Sequence, residues 1–379
     1  MVILTIAALV ATLIWAYLLL GRGRFWLIGN IIAPPGVPVP ARRVAVIIPA
    51  RNEAEVIGRT VAALLAQAGE SLHVFLIDDA STDTTADAAR QAATSLGKAA
   101  SLTILPSRSL PPGWSGKLWA VSQGVEAARS FTPDFFLFSD ADIVHSPATT
   151  PSLVAIAERQ YDLVSFMVKL HCRSLAEKLL IPPFVFFFLE LYPPSWTRDS
   201  RHATAGAAGG CLLIRPEALA RAGGMEAIRG EIIDDCALAL AVKRSGGRVW
   251  LGMTEESVSN RPYGSFREIG RMISRTAFNQ LHHSTLLLLG AIAGLTITYL
   301  LPPALLFSRH TMPIVLGALA WAMMTATYLP MVRFYRLNPL WALTLPLAAL
   351  FYMAATVHSA FRFWSGRGGQ WKGRAQDQR

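Results

Sequence analysis

The sequence predicts an α/β domain with a mostly parallel central sheet, joined to N-terminal and C-terminal transmembrane helices. Two observations predict this class. Short apolar runs alternate with helical patterns in the first half of the chain, which is typical of a parallel sheet covered by helices on both faces. Long apolar blocks open and close the 379-residue chain, in which 53% of residues are hydrophobic and only 16% are charged.

The α/β pattern begins at Val44. Strands are predicted at 44–48, 73–77, 102–105 and 135–138, and helices at 56–67, 84–96 and 117–128. In such a sheet, ligands bind beyond the carboxyl ends of the strands. The residues that immediately follow each strand are therefore the first candidates for a functional site.

Four apolar blocks predict membrane segments. Residues 2–20 carry no charge and match the roughly 20 apolar residues that cross a bilayer. The block has no basic residues before it and runs into Arg22 and Arg24, which favours an uncleaved anchor over a signal peptide and places the next domain in the cytoplasm. The other blocks run from 285 to 307, 313 to 330 and 339 to 361.

These patterns divide the chain into six segments. They are a transmembrane anchor (1–21), a linker (22–43) with a proline-rich spacer at 33–40, the α/β domain (44–265), an interfacial amphipathic helix (266–284), C-terminal membrane helices (285–361) and a basic tail (362–379). Three further crossings would place the basic tail outside, against the positive-inside preference. A re-entrant or interfacial block at 339–361 would remove this conflict.

Charge and cysteine usage exclude some classes of protein. The net charge is +10, but much of the basic charge lies beside the membrane segments, which favours contacts with anionic lipid headgroups over nucleic acid. The cysteines, Cys172, Cys211 and Cys236, are odd in number and lack CxxC spacing. They therefore argue against a disulfide framework or a zinc site.

A pair of aspartates, Asp140 and Asp142, follows the fourth predicted strand. Two carboxylates two residues apart in extended chain point the same way, and their repulsion is relieved by a cation. Mg²⁺ or Mn²⁺, held through one or two carboxylates and substrate phosphates, suits this arrangement. We interpret the nearby His145 as a polar loop residue rather than a metal ligand.

Polar residues also follow the first two strands. Pro49, Asn52 and Glu53 form a turn that can meet a nucleotide base or ribose, although Asn52 alone could simply cap the next helix. After the second strand, Asp79 is a candidate for contacting a base or ribose. We expect Asp83 to cap the helix that follows it.

Four further segments carry predictions. Asp234 and Asp235 open a predicted helix; capping explains one acid, and Asp235 is a candidate general base. Lys117 begins a helix after a glycine-bearing turn and could hold a diphosphate. The small residues at 206–210 predict either a flexible turn or a close approach of backbone to a sugar. The apolar run at 184–192 predicts either a buried core helix or an element at the membrane surface.

Taken together, these motifs resemble family 2 glycosyltransferases of the GT-A fold. VAVIIPARNEAEVI, IDDASTDTT, FSDADIV and the two aspartates at 234–235 occur in that family's order and approximate spacing. More narrowly, GWSGKLWA and IRGEIIDDCALALAVKR resemble the hopanoid-biosynthesis-associated glycosyltransferases of bacteria. The resemblance covers about residues 44 to 276.

The resemblance implies a GT-A nucleotide-diphospho-sugar transferase of the hexosyltransferase class, with its catalytic domain on the cytoplasmic side of the bacterial inner membrane. It implies that Asp79 contacts the uracil of a UDP-sugar donor, that Asp140 and Asp142 bind the donor ribose and the metal, and that Asp235 is the base of an inverting transfer to a hopanoid-like lipid. We expect Pro49, Asn52, Glu53, Lys117 and Asp234 to complete the nucleotide-sugar site.

The sequence departs from the family pattern after the proposed base. Processive and ceramide-type relatives carry a Gln-x-x-Arg-Trp motif, where this chain has Met272, Arg275 and Thr276. The departure argues against polymer synthesis. Two alternatives stay open, a polyprenyl-phosphate or sphingolipid glycosyltransferase and a membrane scaffold that binds sugar nucleotides without catalysis.

Overall fold

The computed structural model describes residues 1–30, 32, 41–67, 71–366, 370–371 and 374–375. The proline-rich spacer at 33–40 and half of the predicted basic tail therefore lie outside the described residues. The chain divides into two compact units. We call Ile31–His171, Trp196–Arg261 and Gln370–Arg379 the α/β unit, and Met1–Asn30, Cys172–Ser195 and Pro262–Gly369 the helical unit.

An eight-stranded sheet forms the centre of the α/β unit. Its strands are β1 (Val44–Ala50), β2 (Leu72–Asp78), β3 (Leu102–Pro106), β4 (Phe135–Phe138), β5 (Ile143–His145), β6 (Leu163–Lys169), β7 (Leu212–Ile214) and β8 (Val249–Ser259). They are arranged in the order β3-β2-β1-β4-β7-β6-β8-β5. Strands β3, β2, β1 and β4 are parallel, β7 is antiparallel to both of its neighbours, β6 and β8 are parallel, and β5 is antiparallel to β8. A short antiparallel pair is formed by Gln370–Trp371 and Arg374–Ala375.

Helices cover both faces of this sheet. Side chains along a strand alternate between the two faces, so an apolar strand makes both faces apolar, and each face is buried by helices. Val46 and Ile48 of β1 join one apolar cluster, while Ala45 and Ile47 join the other. The α-helices are Ala54–Gln67, Thr85–Ser95, Gly116–Ala128, Thr149–Ala157, Pro216–Arg221 and Asp234–Arg244, with 3-10 turns at Ala99–Ser101, Arg129–Phe131 and Met225–Ile228. The short helix Pro194–Arg198 spans the boundary between the two units in the sequence. The four predicted strands and three predicted helices are each found within about two residues of their expected bounds.

The helical unit contains the predicted apolar blocks. Its helices are Val2–Leu20, Leu175–Leu191, Phe266–Ser274, Thr285–Leu295, Leu301–Leu305, Thr311–Phe334 and Leu345–Trp364, with 3-10 turns at Ile28–Asn30 and Pro339–Thr344 and a π-helical turn at Thr296–Leu300. Among the described residues, four helices are long and apolar enough to cross a membrane, Val2–Leu20, Thr285–Leu305, Thr311–Phe334 and Pro339–Trp364. The four apolar blocks are thus confirmed as candidate spans.

Two predictions for this unit need correction. The amphipathic helix predicted at 266–284 ends at Ser274. The Ser274 carbonyl accepts a hydrogen bond from the Ser359 hydroxyl, and the Phe278 N–H donates to the same hydroxyl, so the helical hydrogen bond between Phe278 and Ser274 is replaced. The apolar run at 184–192 belongs to the longer helix Leu175–Leu191, which begins with a capping box formed by Ser174 and Glu177.

The helix Leu175–Leu191 packs within the helical unit rather than in the core of the sheet. The ring of Phe186 lies 5.2 Å from that of Tyr328, and the ring of Phe187 lies 5.1 Å from that of Tyr352, measured between centroids. Tyr328 and Tyr352 belong to two of the candidate membrane helices. Since Val185, Phe186 and Leu189 are buried, the structure agrees with the interpretation of this run as a buried helix. Its position at the membrane surface stays a prediction.

Candidate functional site

A cleft lies at the carboxyl ends of β1 and β4 in the α/β unit, where the parallel strand order predicts a ligand site. Its polar lining brings together distant parts of the sequence, namely Pro49, Lys117, Ser139, Asp140, Gly209, Asp234 and Asp235. Its apolar lining consists of Leu118, Val121, Phe138, Leu212, Met225, Ile228 and Leu238. The structure thus places five of the predicted site residues in one cleft.

Lys117 provides the positive charge of this cleft. It is the second residue of the helix Gly116–Ala128, whose N-terminus is fixed by Ser115: the Ser115 hydroxyl accepts a hydrogen bond from the backbone N–H of Leu118 at 3.3 Å. The Lys117 Nζ atom lies 3.0 Å from Asp234 Oδ2 and 3.3 Å from Asp140 Oδ1. Burial acts to lower the pKa of Lys117, but the nearby carboxylates more than offset it and raise the pKa.

Asp235 is held by backbone N–H groups rather than by a side-chain cation. Its Oδ2 atom accepts a hydrogen bond from the Gly209 N–H at 2.8 Å, and its Oδ1 atom accepts one from the Cys236 N–H at 2.7 Å. Burial, followed by the charge of Asp234, raises the pKa of Asp235 to about 6, although Lys117 and both hydrogen bonds act in the opposite direction. A carboxyl group with this pKa can accept a proton near neutral pH.

The surroundings of Gly209 show why a small residue is needed in the segment 206–210. A Cβ atom added at this position would lie 3.3 Å from Lys117 Nζ and 3.4 Å from Asp235 Oδ2. A side chain there would therefore press on both charged groups. The structure thus places this backbone against the charged groups of the cleft, and its approach to a sugar stays a prediction.

Asp142 belongs to a second polar cluster beside the cleft. Its Oδ2 atom accepts a hydrogen bond from the Ser259 hydroxyl at 2.8 Å and lies 3.4 Å from Arg261 Nε. The same guanidinium donates a hydrogen bond from Nη2 to Glu53 Oε2. Burial, followed by the charge of Asp140, raises the pKa of Asp142, and Arg261 partly offsets this. Arg261 therefore compensates two acidic residues at once.

The donor atoms at Asp140 and Asp142 fit a divalent cation. Both are carboxylates, the ligands that Mg²⁺ and Mn²⁺ prefer, and the charge of Asp140 raises the pKa of Asp142 because the pair repel each other. The described part of the chain offers no group of three or more His, Cys, Asp or Glu side chains arranged to hold a metal ion. A cation here would therefore need ligands from a substrate, as Mg²⁺ commonly does.

Two of the residues predicted after strands β1 and β2, Asn52 and Asp79, already contact other residues of the protein. Asp79 is only 1% exposed; its backbone carbonyl accepts a hydrogen bond from Arg51 Nη1 at 2.6 Å, and its Oδ2 atom lies 3.5 Å from the same nitrogen. The exposed Asn52 has a φ angle of 52°, and its Oδ1 atom accepts a hydrogen bond from the Thr82 N–H at 2.8 Å.

The capping roles in these loops can be assigned from hydrogen bonds. Asp83 accepts from the N–H of Thr85 at 3.0 Å and from the N–H of Ala54 at 3.1 Å, which are the first residues of two different helices. The capping role predicted for Asp83 is confirmed. Asn52 instead links its own loop to the loop at Thr82, so its alternative interpretation as a helix cap is wrong.

The interpretation of His145 as a polar loop residue is also wrong. His145 is 1% exposed in strand β5, and its ring nitrogens hydrogen-bond to the hydroxyls of Ser139 and Ser257, each at 2.9 Å. Burial lowers the pKa of His145 to about 4. It is therefore a neutral core residue, and both nitrogens are already used.

Sequence reasoning missed two polar residues of the site, Ser259 and Arg261. Ser259 is the last residue of β8, and Arg261 lies two positions beyond it and 208 positions from its partner Glu53. An arginine after a strand is a weak signal by itself. Only the position of β8 beside β5 and β6 brings these residues to Asp142.

Comparison with known proteins identifies the family. The family model described as "Glycosyltransferase like family 2" matches residues 40–259, which is more than half of the chain and includes the whole cleft. The chain belongs to this family. The prediction of a glycosyltransferase is therefore confirmed, and the alternative of a non-catalytic scaffold is not supported.

Curated relatives within the glycosyltransferase family match a shorter region. An undecaprenyl-phosphate 4-deoxy-4-formamido-L-arabinose transferase of Pseudomonas aeruginosa is 34% identical over 131 residues, which cover 34% of this chain and 36% of that protein. The protein of the same name from Serratia proteamaculans is 32% identical over 129 residues, which cover 33% of this chain and 36% of that protein. The chain thus matches about a third of the length of these relatives.

A solved structure extends the comparison to the fold. The mannosyltransferase PcManGT from Pyrobaculum calidifontis, determined in complex with GDP-Man and Mn²⁺, has a TM-score of 0.55 and 21% sequence identity. The superposition covers 96% of this chain and 98% of that chain. Together with the family match, it confirms the predicted GT-A fold with a mostly parallel central sheet.

Proposed function

We propose that this family 2 glycosyltransferase moves a sugar, with inversion, from a nucleotide-sugar donor to a membrane lipid. The observation that carries the proposal is the position of Asp235, whose carboxylate is held by two backbone N–H groups at one end of a cleft that also contains Lys117 and Asp140. This arrangement supplies a fixed proton acceptor next to a cationic group that can hold a diphosphate.

The chemistry of the chain's own residues follows from these positions. Asp235 accepts the proton of an acceptor hydroxyl, and the resulting oxygen attacks the anomeric carbon from the face opposite the diphosphate. The bond from the anomeric carbon to the diphosphate breaks, and Lys117 stabilises the negative charge that develops on the leaving group. Asp234 and Asp140 orient the Lys117 ammonium.

We propose that Asp140 and Asp142 hold a divalent metal ion together with the donor phosphates. When bound, such an ion neutralises charge on the diphosphate leaving group. The Mn²⁺ and GDP-Man in the structure of the Pyrobaculum protein support this choice. Mg²⁺ and Mn²⁺ have the same preference for carboxylate oxygens, so both should be tested.

We propose a donor contact for Pro49 and Asp234, which line the cleft. Glu53 acts through Arg261, which it holds beside Asp142. Asp79, beside Arg51, and the exposed Asn52, which bonds to Thr82, remain candidates for contact with the base.

Two classes of lipid acceptor remain, and different observations favour them. The fixed base Asp235 favours an acceptor with a hydroxyl group, such as a hopanoid, because a phosphate monoester has a second pKa near 6 and is largely deprotonated at neutral pH. The names of the curated relatives favour polyprenyl phosphate. The resemblance of GWSGKLWA to hopanoid-associated enzymes supports the first class.

The test is an assay of purified full-length protein in lipid vesicles with labelled UDP-sugars and GDP-mannose, with Mg²⁺, Mn²⁺ or EDTA. Hydroxylated hopanoid and undecaprenyl phosphate serve as separate acceptors. We expect metal-dependent labelling of one lipid and its loss, by about 10²–10⁴-fold, in Asp235→Asn. Labelling that persists in Asp235→Asn, or an absence of labelling with every donor and acceptor, would contradict the proposal.

The control for folding is the thermal midpoint of Asp235→Asn at pH 7.5. The pKa of Asp235 is raised in the folded state, so ionisation of this group costs stability as the pH rises from about 4 towards 6. Asparagine removes this cost. The single amide oxygen of asparagine can accept from only one of the two backbone N–H groups, which offsets this gain, so the variant should unfold close to the native temperature. A midpoint near the native one separates a lost base from a lost fold.

A further inference from the structure

A buried serine interrupts the apolar run of strand β6. Ser165 is 0% exposed, and its neighbours in the strand, Val164 and Phe166, are apolar and equally buried. A hydroxyl group in such a place costs free energy unless its hydrogen-bonding capacity is satisfied. The partners of the Ser165 hydroxyl therefore indicate what this side chain does.

The partners of Ser165 are backbone groups of a single turn, residues 208–211. Its Oγ atom accepts a hydrogen bond from the Ala208 N–H at 2.8 Å. Its own proton is donated either to the Ala208 carbonyl at 3.1 Å or to the Cys211 carbonyl at 3.3 Å. The Cys211 N–H closes the turn by donating to the Ala208 carbonyl at 3.3 Å. One side chain thus contacts both ends of this turn.

The next backbone group of the turn holds the proposed base. Gly209 follows Ala208, and its N–H donates to Asp235 Oδ2 at 2.8 Å. Two consecutive N–H groups are therefore fixed by two side chains, the first by Ser165 and the second by Asp235. Because peptide units are planar, fixing the Ala208 N–H limits the directions in which the Gly209 N–H can point.

The two ends of the turn are held in different ways. At the Cys211 end, the carbonyl accepts a hydrogen bond from the Phe166 N–H at 2.9 Å, which ties this end to strand β6. At the Ala208 end, the N–H is held by the Ser165 hydroxyl. Gly209 and Gly210 lie between the two ends, and glycine is the residue with the most backbone freedom to lose. The position of the Gly209 N–H therefore depends on Ser165 as well as on the sheet.

We propose that Ser165 is a positioning residue for the base: its hydroxyl holds the turn 208–211 so that the Gly209 N–H stays directed at the Asp235 carboxylate. Ser165 acts through the backbone of Gly209 and takes no part in the transfer of the proton. The inference deepens the proposed glycosyl transfer and rests on it, because it assigns a residue that keeps the base in place.

The hydrogen bond from Gly209 has a consequence for the ionisation of Asp235. Burial and the charge of Asp234 raise the pKa of Asp235, whereas the charge of Lys117 and the hydrogen bonds from Cys236 and Gly209 lower it. Loss of the Gly209 contact should therefore raise this pKa above about 6. The charged neighbours, Asp234 and Lys117, stay in place when Ser165 is replaced.

The first test compares the pH profile of kcat/KM in Ser165→Ala and Ser165→Thr. In Ser165→Ala, the acidic limb should move to higher pH by up to about one unit, the equivalent of one hydrogen bond. At pH 8, kcat should fall about 10- to 100-fold because the base is misplaced. The ion pairs of Lys117 remain, so the KM for the donor should change little.

Ser165→Thr keeps the hydroxyl in a residue that strands favour, so its acidic limb should stay at the native position. A limb that stays in place in Ser165→Ala, or that moves equally in both variants, would overturn the proposal.

The matched control is Ser359→Ala in the helical unit. The Ser359 hydroxyl, on a residue that is 5% exposed, also accepts from a backbone N–H, that of Phe278 at 3.1 Å, and donates to a backbone carbonyl, that of Ser274 at 2.5 Å. We expect Ser359→Ala to lower the thermal midpoint about as much as Ser165→Ala and to leave the acidic limb unchanged. An equal movement of the limb in Ser359→Ala would show a general effect of lost stability and contradict the proposal.

Hydrogen exchange of the segment 206–211, followed by mass spectrometry, tests the contact without an assay of transfer. Exchange should be about 5- to 10-fold faster in Ser165→Ala, the equivalent of one lost hydrogen bond, and native in Ser165→Thr and Ser359→Ala. Unchanged exchange in Ser165→Ala would overturn the proposal. If the native protein transfers no sugar, the proposed function fails, and the exchange still decides whether Ser165 holds the turn.

Discussion

The Nζ atom of Lys117 lies 3.0 Å from Oδ2 of Asp234, the residue that precedes the proposed base. The same ammonium is 3.3 Å from Asp140, and the charge of Asp235 also acts on it. One cation thus compensates three carboxylates that come from two separate segments of the chain. The charge balance of the cleft depends on this side chain, and several consequences can be measured.

Replacing Lys117 with methionine should change the pH profile as well as the rate. Lys117 lowers the pKa of Asp235 in the native protein, so its removal should raise that pKa above about 6. The acidic limb of the profile of kcat/KM should move to higher pH, and the KM for the donor should increase. Lys243→Met is the matched control, because this lysine lies on the helix Asp234–Arg244 that carries Asp235 and bonds to backbone carbonyls, including that of Thr204 at 2.7 Å. An acidic limb that stays in place in Lys117→Met would refute the assignment.

As the pH is lowered, the native enzyme should lose activity at a higher pH than an ordinary carboxylate base would cause. The Asp235 base works only when it is deprotonated, and its pKa is raised to about 6. The rate should be halved near pH 6 and then decrease about tenfold per pH unit. An ordinary aspartate would maintain the rate to about pH 4. The measurement is kcat/KM between pH 5 and 8.5 at saturating metal, with circular dichroism to confirm folding at each pH.

Arg261 should couple energetically to Glu53. Arg261→Met would leave the carboxylates of Glu53 and Asp142 without their shared guanidinium, at a cost of about 1–3 kcal/mol of unfolding free energy. Glu53→Gln in that background should recover part of the loss, because one of the two like charges is gone. A double-mutant cycle on thermal or denaturant midpoints measures this coupling. Strict additivity of the two substitutions would show that the guanidinium does not link them.

Two glycine substitutions should affect different properties, one the activity and the other the stability of the fold. Gly209→Ala places a methyl group against Lys117 Nζ and Asp235 Oδ2, so activity should decrease while the thermal midpoint changes little. Gly124→Ala places a methyl group against Ile47 and Ile77 in the core, so the fold should lose about 1–3 kcal/mol. The pair is compared by activity per folded molecule and by thermal midpoint. Equal loss of stability in both would argue against a specific role of Gly209 in the site.

The sequence predicted the parts of the fold that depend on local pattern. Strand β1 is a continuous apolar run with polar residues after it, and the same reasoning located Asp140 at the cleft. Asp235 was predicted from a different local pattern, two acidic residues that open a helix. The pairing of Arg261 with Glu53 could not be predicted, because it depends on the position of β8 within a mixed sheet. The burial of His145 was missed for a similar reason, since β5 pairs with β8 rather than with a neighbour in sequence.

The end of the amphipathic helix at Ser274 shows another limit of sequence patterns. Apolar and basic residues keep a helical spacing to position 281, but the backbone turns through left-handed conformations at His282 and His283 before the next helix begins. Spacing reports which face a residue would occupy in a helix. It does not report where tertiary packing ends that helix.

The helical unit is assembled from three separated stretches of chain, one of which, Cys172–Ser195, is inserted between β6 and β7 of the sheet. Truncation after Arg261 would remove the later spans but leave this insertion, including Val185, Phe186 and Leu189, without the helices that bury it. A soluble fragment made in this way would expose an apolar helix and should aggregate. Removal of the membrane part therefore requires an internal deletion as well as two terminal ones.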